Sequence, residues 1–170
     1  MLYWNKILTV ILVNFSKKGV EIMAVCTFFG HHDCPVSVRS RLKDTLTELI
    51  ERQGVDRFYV GYQGSFDRMA AGLLAELKST FPKLEAYIVL AYLTTEPNEA
   101  IFPLPTLYPE GLETVPKRFA ISRRNLWMLR HADYVITYIN HGWGGAAQFA
   151  EKAHRQGKII YPLGQYPPVP

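Results

Sequence analysis

The chain has 170 residues, of which 48% are hydrophobic and 20% charged, with a net charge of +4. That length suits one domain with a real core, and the composition excludes disorder as the default state. A small positive charge without a Lys/Arg run argues against a nucleic-acid backbone binder, and two cysteines, Cys26 and Cys34, are too few for a disulfide framework and fit a reducing cytoplasm.

The apolar run from Ile7 to Val13 follows Lys6 and is too short for a membrane span, which needs roughly 20 residues. No small-residue cleavage site follows it, so no membrane partner is expected. Lys17-Lys18-Gly19 is encoded by purine-rich codons shortly before Met23, the pattern of a bacterial ribosome-binding site. The expectation is that residues 1–22 are a non-native or disordered extension, that the domain covers 23–163, and that 164–170 form a Pro-rich tail.

From Met23 strands and helices alternate. Ala24–Phe29 is a β-rich run ending on Gly30. Pro35 suits the start of a helix carrying Val38, Leu42, Leu46, Leu49 and Ile50, and Gly54 suits its end. Arg57–Val60 is a second strand, and Phe66 to Leu77 supply a second helical stripe. Ala86–Tyr92 is a third strand. Thr94–Lys117 holds five prolines and no period, which marks an ordered lid or rim rather than a regular element. A helix over Arg118–Met128 follows, with Ile121, Asn125, Met128 and Ala132 as its buried stripe and Arg124 at the flank. Tyr134–Tyr138, a helix carrying Ala146, Phe149, Ala150 and Ala153, and Lys158–Tyr161 complete the set. This alternation predicts an α/β fold: a Rossmann-like, doubly wound, mainly parallel sheet with helices on both faces. Ligands of such sheets sit beyond the carboxyl ends of the strands.

Chemistry-bearing residues collect in those loops. Phe29-Gly30-His31-His32-Asp33 follows the first strand, where Gly30 allows close backbone approach and His31 and His32 offer contacts to phosphate or base. The plainer reading is a solvated turn. A metal set of Cys26, His31, His32 and Cys34 matches no usual zinc spacing, so no metal is expected. Gly61, Gln63, Gly64 and Asp67 open the second helix, where free N–H groups and the helix dipole favour an anion; Asp67 is equally an ordinary helix-start residue. The strongest signal is His141-Gly142-Trp143-Gly144-Gly145-Ala146-Ala147-Gln148. Three glycines in four positions between a strand and an alanine-rich helix let the main chain wrap a phosphate. Arg118, Arg123, Arg124 and Asn125 gather on the helix before that strand. An arginine facing the mouth clamps phosphate bidentately, while a solvated helix face is the ordinary fate of an Arg pair.

Together these segments resemble the SLOG superfamily, which includes the LOG phosphoribohydrolases and the Rossmann domain of the DNA-processing protein DprA. The residues carrying the resemblance are Arg124-Asn125-Leu126-Trp127-Met128, Ala132 to Ile136, and the glycine loop from His141 to Gln148. Phe29-Gly30-His31, Gly64-Ser65-Phe66-Asp67, Thr106 to Gly111 and Gly144-Gly145-Ala146 with Phe149 look closer still to a bacterial and phage branch of that superfamily. The resemblance covers about Met23 to Leu163. It implies phosphate-binding roles for Gly142, Gly144, Gly145, Ala146, Arg124 and Asn125.

The departures lie in the catalytic part. The LOG glutamate falls on Gln148, the threonine on Gly145 and the lysine on Asn125. An amide neither gives nor takes a proton near neutral pH. The expectation is therefore a cytoplasmic binder or sensor of a nucleotide-derived, phosphate-bearing small molecule, without catalysis and without a cofactor, with a homodimer or higher homo-oligomer left open beside the monomer. The alternatives are a LOG-like N-glycosidase working through Arg124 with Asp67, Glu110 or Glu151, and a DprA-like single-stranded DNA binder, which the weak charge and missing basic–aromatic stripe disfavour.

Overall fold

The computed structural model describes residues 23–93 and 102–165. Six parallel strands run through them: β1 (Ala24–Gly30), β2 (Val55–Val60), β3 (Glu85–Val89), β4 (Thr106–Leu107), β5 (Tyr134–Tyr138) and β6 (Ile159–Pro162). Their order across the sheet is β4-β3-β2-β1-β5-β6, so it reverses between β1 and β5. The α/β, Rossmann-like architecture expected from the alternating pattern is the one observed. The proposed extension at residues 1–22 and the end of the tail at 166–170 lie outside the described residues, as does 94–101 of the proline-rich segment.

The connecting helices are α1 (Arg39–Gln53), α2 (Ser65–Leu77), α3 (Lys117–Arg130) and α4 (Gly145–Arg155). α1 and α2 cover one face, where Leu42, Leu46 and Leu49 meet Phe28, Phe58, Ile88 and the buried ring of Phe66. α3 and α4 cover the other, where Met128, Leu129, Phe149 and Ala153 meet Val25, Phe29, Val89 and Val135. Alternate residues of β1 serve the two faces, as a strand buried on both sides requires. Gly54 ends α1 in the left-handed conformation at φ 67°.

Two expectations need correction. The segment expected to be irregular over Thr94–Lys117 contributes β4, an edge strand at Thr106–Leu107. Its backbone bonds begin with Ile88 N–H to the Pro105 carbonyl at 2.9 Å and Leu90 N–H to the Leu107 carbonyl at 2.8 Å. Two residues are too few to show a period of two. The buried stripe of α3 is Ala120, Arg124, Met128 and Leu129, while Ile121 is 38% exposed and Asn125 half-buried. Arg124 is thus in the stripe, not beside it. A buried guanidinium is tolerated only where its donors are satisfied, which a hydropathy pattern does not reveal.

Candidate functional site

Reversal of strand order leaves a crevice beyond the carboxyl ends of β1 and β5, where neighbouring connections leave toward opposite faces. A cleft of about 170 Å³ opens there. Its wall comes from the end of β1 with His32, from Gln63, Gly64 and Asp67 at the start of α2, from Ile121, Arg124, Asn125 and Met128 of α3, and from Gly145 and Ala146 at the start of α4.

His31 joins the two central strands. Its backbone N–H donates to the Tyr138 carbonyl at 3.0 Å, and its Nδ1 accepts the Asn140 backbone N–H at 3.1 Å. The ring proton therefore sits on Nε2, which is buried. Burial first, and the neighbouring His141 second, hold the His31 imidazole below the usual histidine pKa. The ring of His141 lies flat on it, with centroids 3.6 Å apart. The space above Gly30 is filled from the protein itself: a Cβ there would stand 2.1 Å from the Phe66 ring. Gly30 thus permits the packing of α2 on β1 and still lines the cleft.

The start of α2 is knit to the loop after β1. Ser65 donates its N–H to the His32 carbonyl at 3.1 Å and its hydroxyl to the carbonyls of His32 and Cys34. Gly64 lets the loops touch, since a Cβ would lie 2.8 Å from the His32 Cα. Asp67 accepts the Gln63 N–H at 3.2 Å. Burial raises its carboxyl above the ordinary aspartate value, opposed by the charge of Arg124. Gly61 lies beneath both groups: a Cβ there would be 2.5 Å from Asp67 Oδ2 and 2.9 Å from Arg124 Nη1.

Arg124 is 2% exposed. It donates from Nη1 to the Val89 carbonyl and from Nε to Asn125 Oδ1, both at 2.8 Å. Burial lowers its pKa and the charge of Asp67 raises it. The group is a cation fixed in orientation at the wall of the cleft.

The N-terminus of α4 also borders the cleft. Gly144 holds φ 92°, a left-handed conformation that strains other residues, and provides no capping side chain. The first internal bond is Gln148 N–H to the Gly144 carbonyl at 3.1 Å. The N–H groups of Gly145, Ala146 and Ala147 are left without an acceptor in the helix. Nothing lies within 4 Å of a Cβ placed on Gly144 or Gly145. These glycines, unlike Gly30, Gly61 and Gly64, face open space.

Of the residues singled out from sequence, Gly30, Gln63, Gly64, Asp67, Arg124, Asn125, Gly145 and Ala146 line the cleft, with His31, Gly61 and Gly144 immediately behind or beside them. Gly142 and Gln148 are exposed near the mouth and do not line it. Arg118 and Glu110 are exposed, the former over the Phe119 ring. Glu151 is exposed and paired with Arg155 one turn along α4. His32, which the sequence offers together with His31 as a contact to phosphate or base, lines the cleft; His141 and Trp143 have no assigned role in ligand binding from sequence, and aromatic residues inside a glycine loop are the signal that points to them. Cys26 and Cys34 are buried free thiols, and burial pushes Cys34 up to about 11. No helix of the described residues is long and apolar enough to cross a membrane.

No family model matches the chain. No curated protein matches it either. Among solved structures it is similar to the X-ray structure of DNA processing protein A (DprA) from Streptococcus pneumoniae, with a TM-score of 0.58 and 12% identity. The likeness covers 82% of this chain and 50% of that one, so the chain spans about half the length of its structural neighbour. At that identity the shared property is the fold, a Rossmann-like α/β sheet.

Proposed function

We propose that the crevice binds a nucleotide-type ligand through its phosphate, as a binder or sensor rather than a hydrolase. The observation that carries this reading is the pairing of an uncapped helix N-terminus with a fixed buried cation. The uncapped start of α4, where Gly145 and Ala146 line the cleft, and the guanidinium of Arg124 border the same cleft. Oriented N–H donors, a helix dipole and an arginine are the three usual elements of phosphate recognition.

The absence of catalysis is read from the carboxylates. Glu110 and Glu151 face solvent, and position 148 carries an amide. Calorimetry with nucleoside 5′-monophosphates and ribose 5-phosphate tests the reading, comparing the wild type with Gly145→Asp. A side chain at 145 meets no protein atom, so the variant keeps its melting temperature while its carboxylate repels the phosphate. Unchanged affinity in that variant would place the ligand elsewhere.

A second reading is favoured by one residue. Asp67 lines the cleft, its carboxyl raised by burial, with Arg124 beside it. A carboxyl whose pKa is raised by burial beside an anion site suits a general acid for N-glycosidic cleavage. Base release that disappears in Asp67→Asn would establish it. The fold shared with a DNA processing protein also brings in single-stranded DNA, for which steep loss of oligonucleotide affinity with salt is the mark.

A further inference from the structure

Three aromatic rings stack between the loop after β1 and the loop that joins β5 to α4. His31 lies on His141 with centroids 3.6 Å apart and planes at 14°, and His141 lies on Trp143 at 3.8 Å and 19°. Two rings that each lie flat against a third within 4 Å cannot share one of its faces, so His141 is the middle layer. The inner ring, His31, is 5% exposed and the outer ring, Trp143, is 70% exposed. The stack therefore runs from the end of β1 to solvent and ends on an open indole face.

Its orientation is held by hydrogen bonds. His31 is fixed through Nδ1 by the Asn140 N–H, and His141 pairs through Nδ1 with the Trp143 carbonyl at 3.0 Å. An indole left in water is ordinarily expensive and mobile; this one is seated on two anchored rings. Trp143 also immediately precedes Gly144, the N-cap of α4. One residue of chain spans at most about 3.6 Å, so the indole is tethered beside the free N–H groups of that helix.

We propose that the outer face of Trp143 is a stacking platform for the aromatic base of the ligand. This rests on the phosphate reading above and extends it: the phosphate is held by the start of α4 and Arg124, and the base by the indole. The stack provides no hydrogen-bond edge to the base, so it accepts any purine or pyrimidine and favours the larger ring system. Stacking of a base on a protein aromatic is sequence-tolerant for the same reason.

The test compares ribose 5-phosphate with AMP and CMP on the full chain, in the wild type, Trp143→Ala and Trp143→Phe. The wild type is expected to bind AMP more tightly than ribose 5-phosphate, with CMP between them. Trp143→Ala is expected to lose about 10- to 100-fold in AMP affinity while ribose 5-phosphate is unchanged, and Trp143→Phe to keep most of the gain. Because the indole is exposed, neither variant should lower the melting temperature. Quenching of Trp143 fluorescence by AMP, measured in a Trp4→Phe, Trp127→Phe background, provides an independent readout. Equal binding of AMP and ribose 5-phosphate, with no effect of Trp143→Ala, overturns the platform and leaves the phosphate site standing. No binding of either ligand by the wild type overturns both. An oligonucleotide that outcompetes AMP and depends equally on Trp143 supports the platform and assigns the base to a strand rather than a free nucleotide.

Discussion

The backbone N–H of Asn140 donates to Nδ1 of His31 at 3.1 Å, so one hydrogen bond ties the loop after β5 to the loop after β1 across the point of strand reversal. The bond requires a neutral imidazole, because a protonated ring has no lone pair at Nδ1.

Acid should loosen this tie. The folded pKa of His31 is depressed by burial and by His141, so the unfolded chain takes up its proton first, around the ordinary value of 6.5. The stability contribution is complete above that value and is lost as pH falls from it toward the lowered folded value. Melting temperature measured from pH 8 to pH 5 should fall in the wild type. In His31→Gln the curve should start lower at pH 8 and be flatter. An equally steep curve in the variant would assign the pH dependence to another group.

Arg124 should be as important to stability as to binding. Removing it leaves the Val89 carbonyl and Asn125 Oδ1 without a donor and Asp67 without its opposing charge. Breaking such a buried set costs about 3 kcal/mol or more. Urea denaturation of Arg124→Ala should show that loss. Arg123→Ala, at an exposed neighbour, should remain within about 0.5 kcal/mol of the wild type.

The glycines should divide by what surrounds them. Gly61→Ala drives a Cβ to 2.5 Å from Asp67 Oδ2, and an overpacked site typically costs about 1–3 kcal/mol. Gly72 lies inside α2 with nothing within 4 Å of a Cβ. Gly72→Ala should therefore stabilise by about 0.5–1 kcal/mol through helix propensity. Chemical denaturation of the pair checks both signs.

Incubation of the wild type with nucleoside monophosphates or NAD should release no base detectable by chromatography. Gln148→Glu should not restore release, since position 148 is exposed and off the cleft wall. Robust turnover abolished by Asp67→Asn would reverse this expectation and promote Asp67 to general acid.

Much of the architecture was legible in the residues themselves. Alternating β-rich runs and helical stripes predict five of the six strands and the four α-helices among the described residues, because each is long enough to show its period. The Gly144–Gly145 loop was legible for the same local reason: a strand and an alanine-rich helix flank it closely, and a turn between them needs a left-handed residue. What the tertiary structure decided was which side of each residue is filled. Gly30, Gly61 and Gly144 read alike in sequence, yet one accommodates a phenylalanine ring, one a carboxylate and a guanidinium, and one faces open space. Arg124 is an ordinary helix arginine until the end of β3 supplies the Val89 carbonyl that lets it be buried. His31 and Trp143 stand 112 positions apart and become two ends of one stack only because β1 and β5 are neighbours in the sheet. Local periodicity is written residue by residue, whereas burial, pairing and stacking depend on which distant segment arrives alongside.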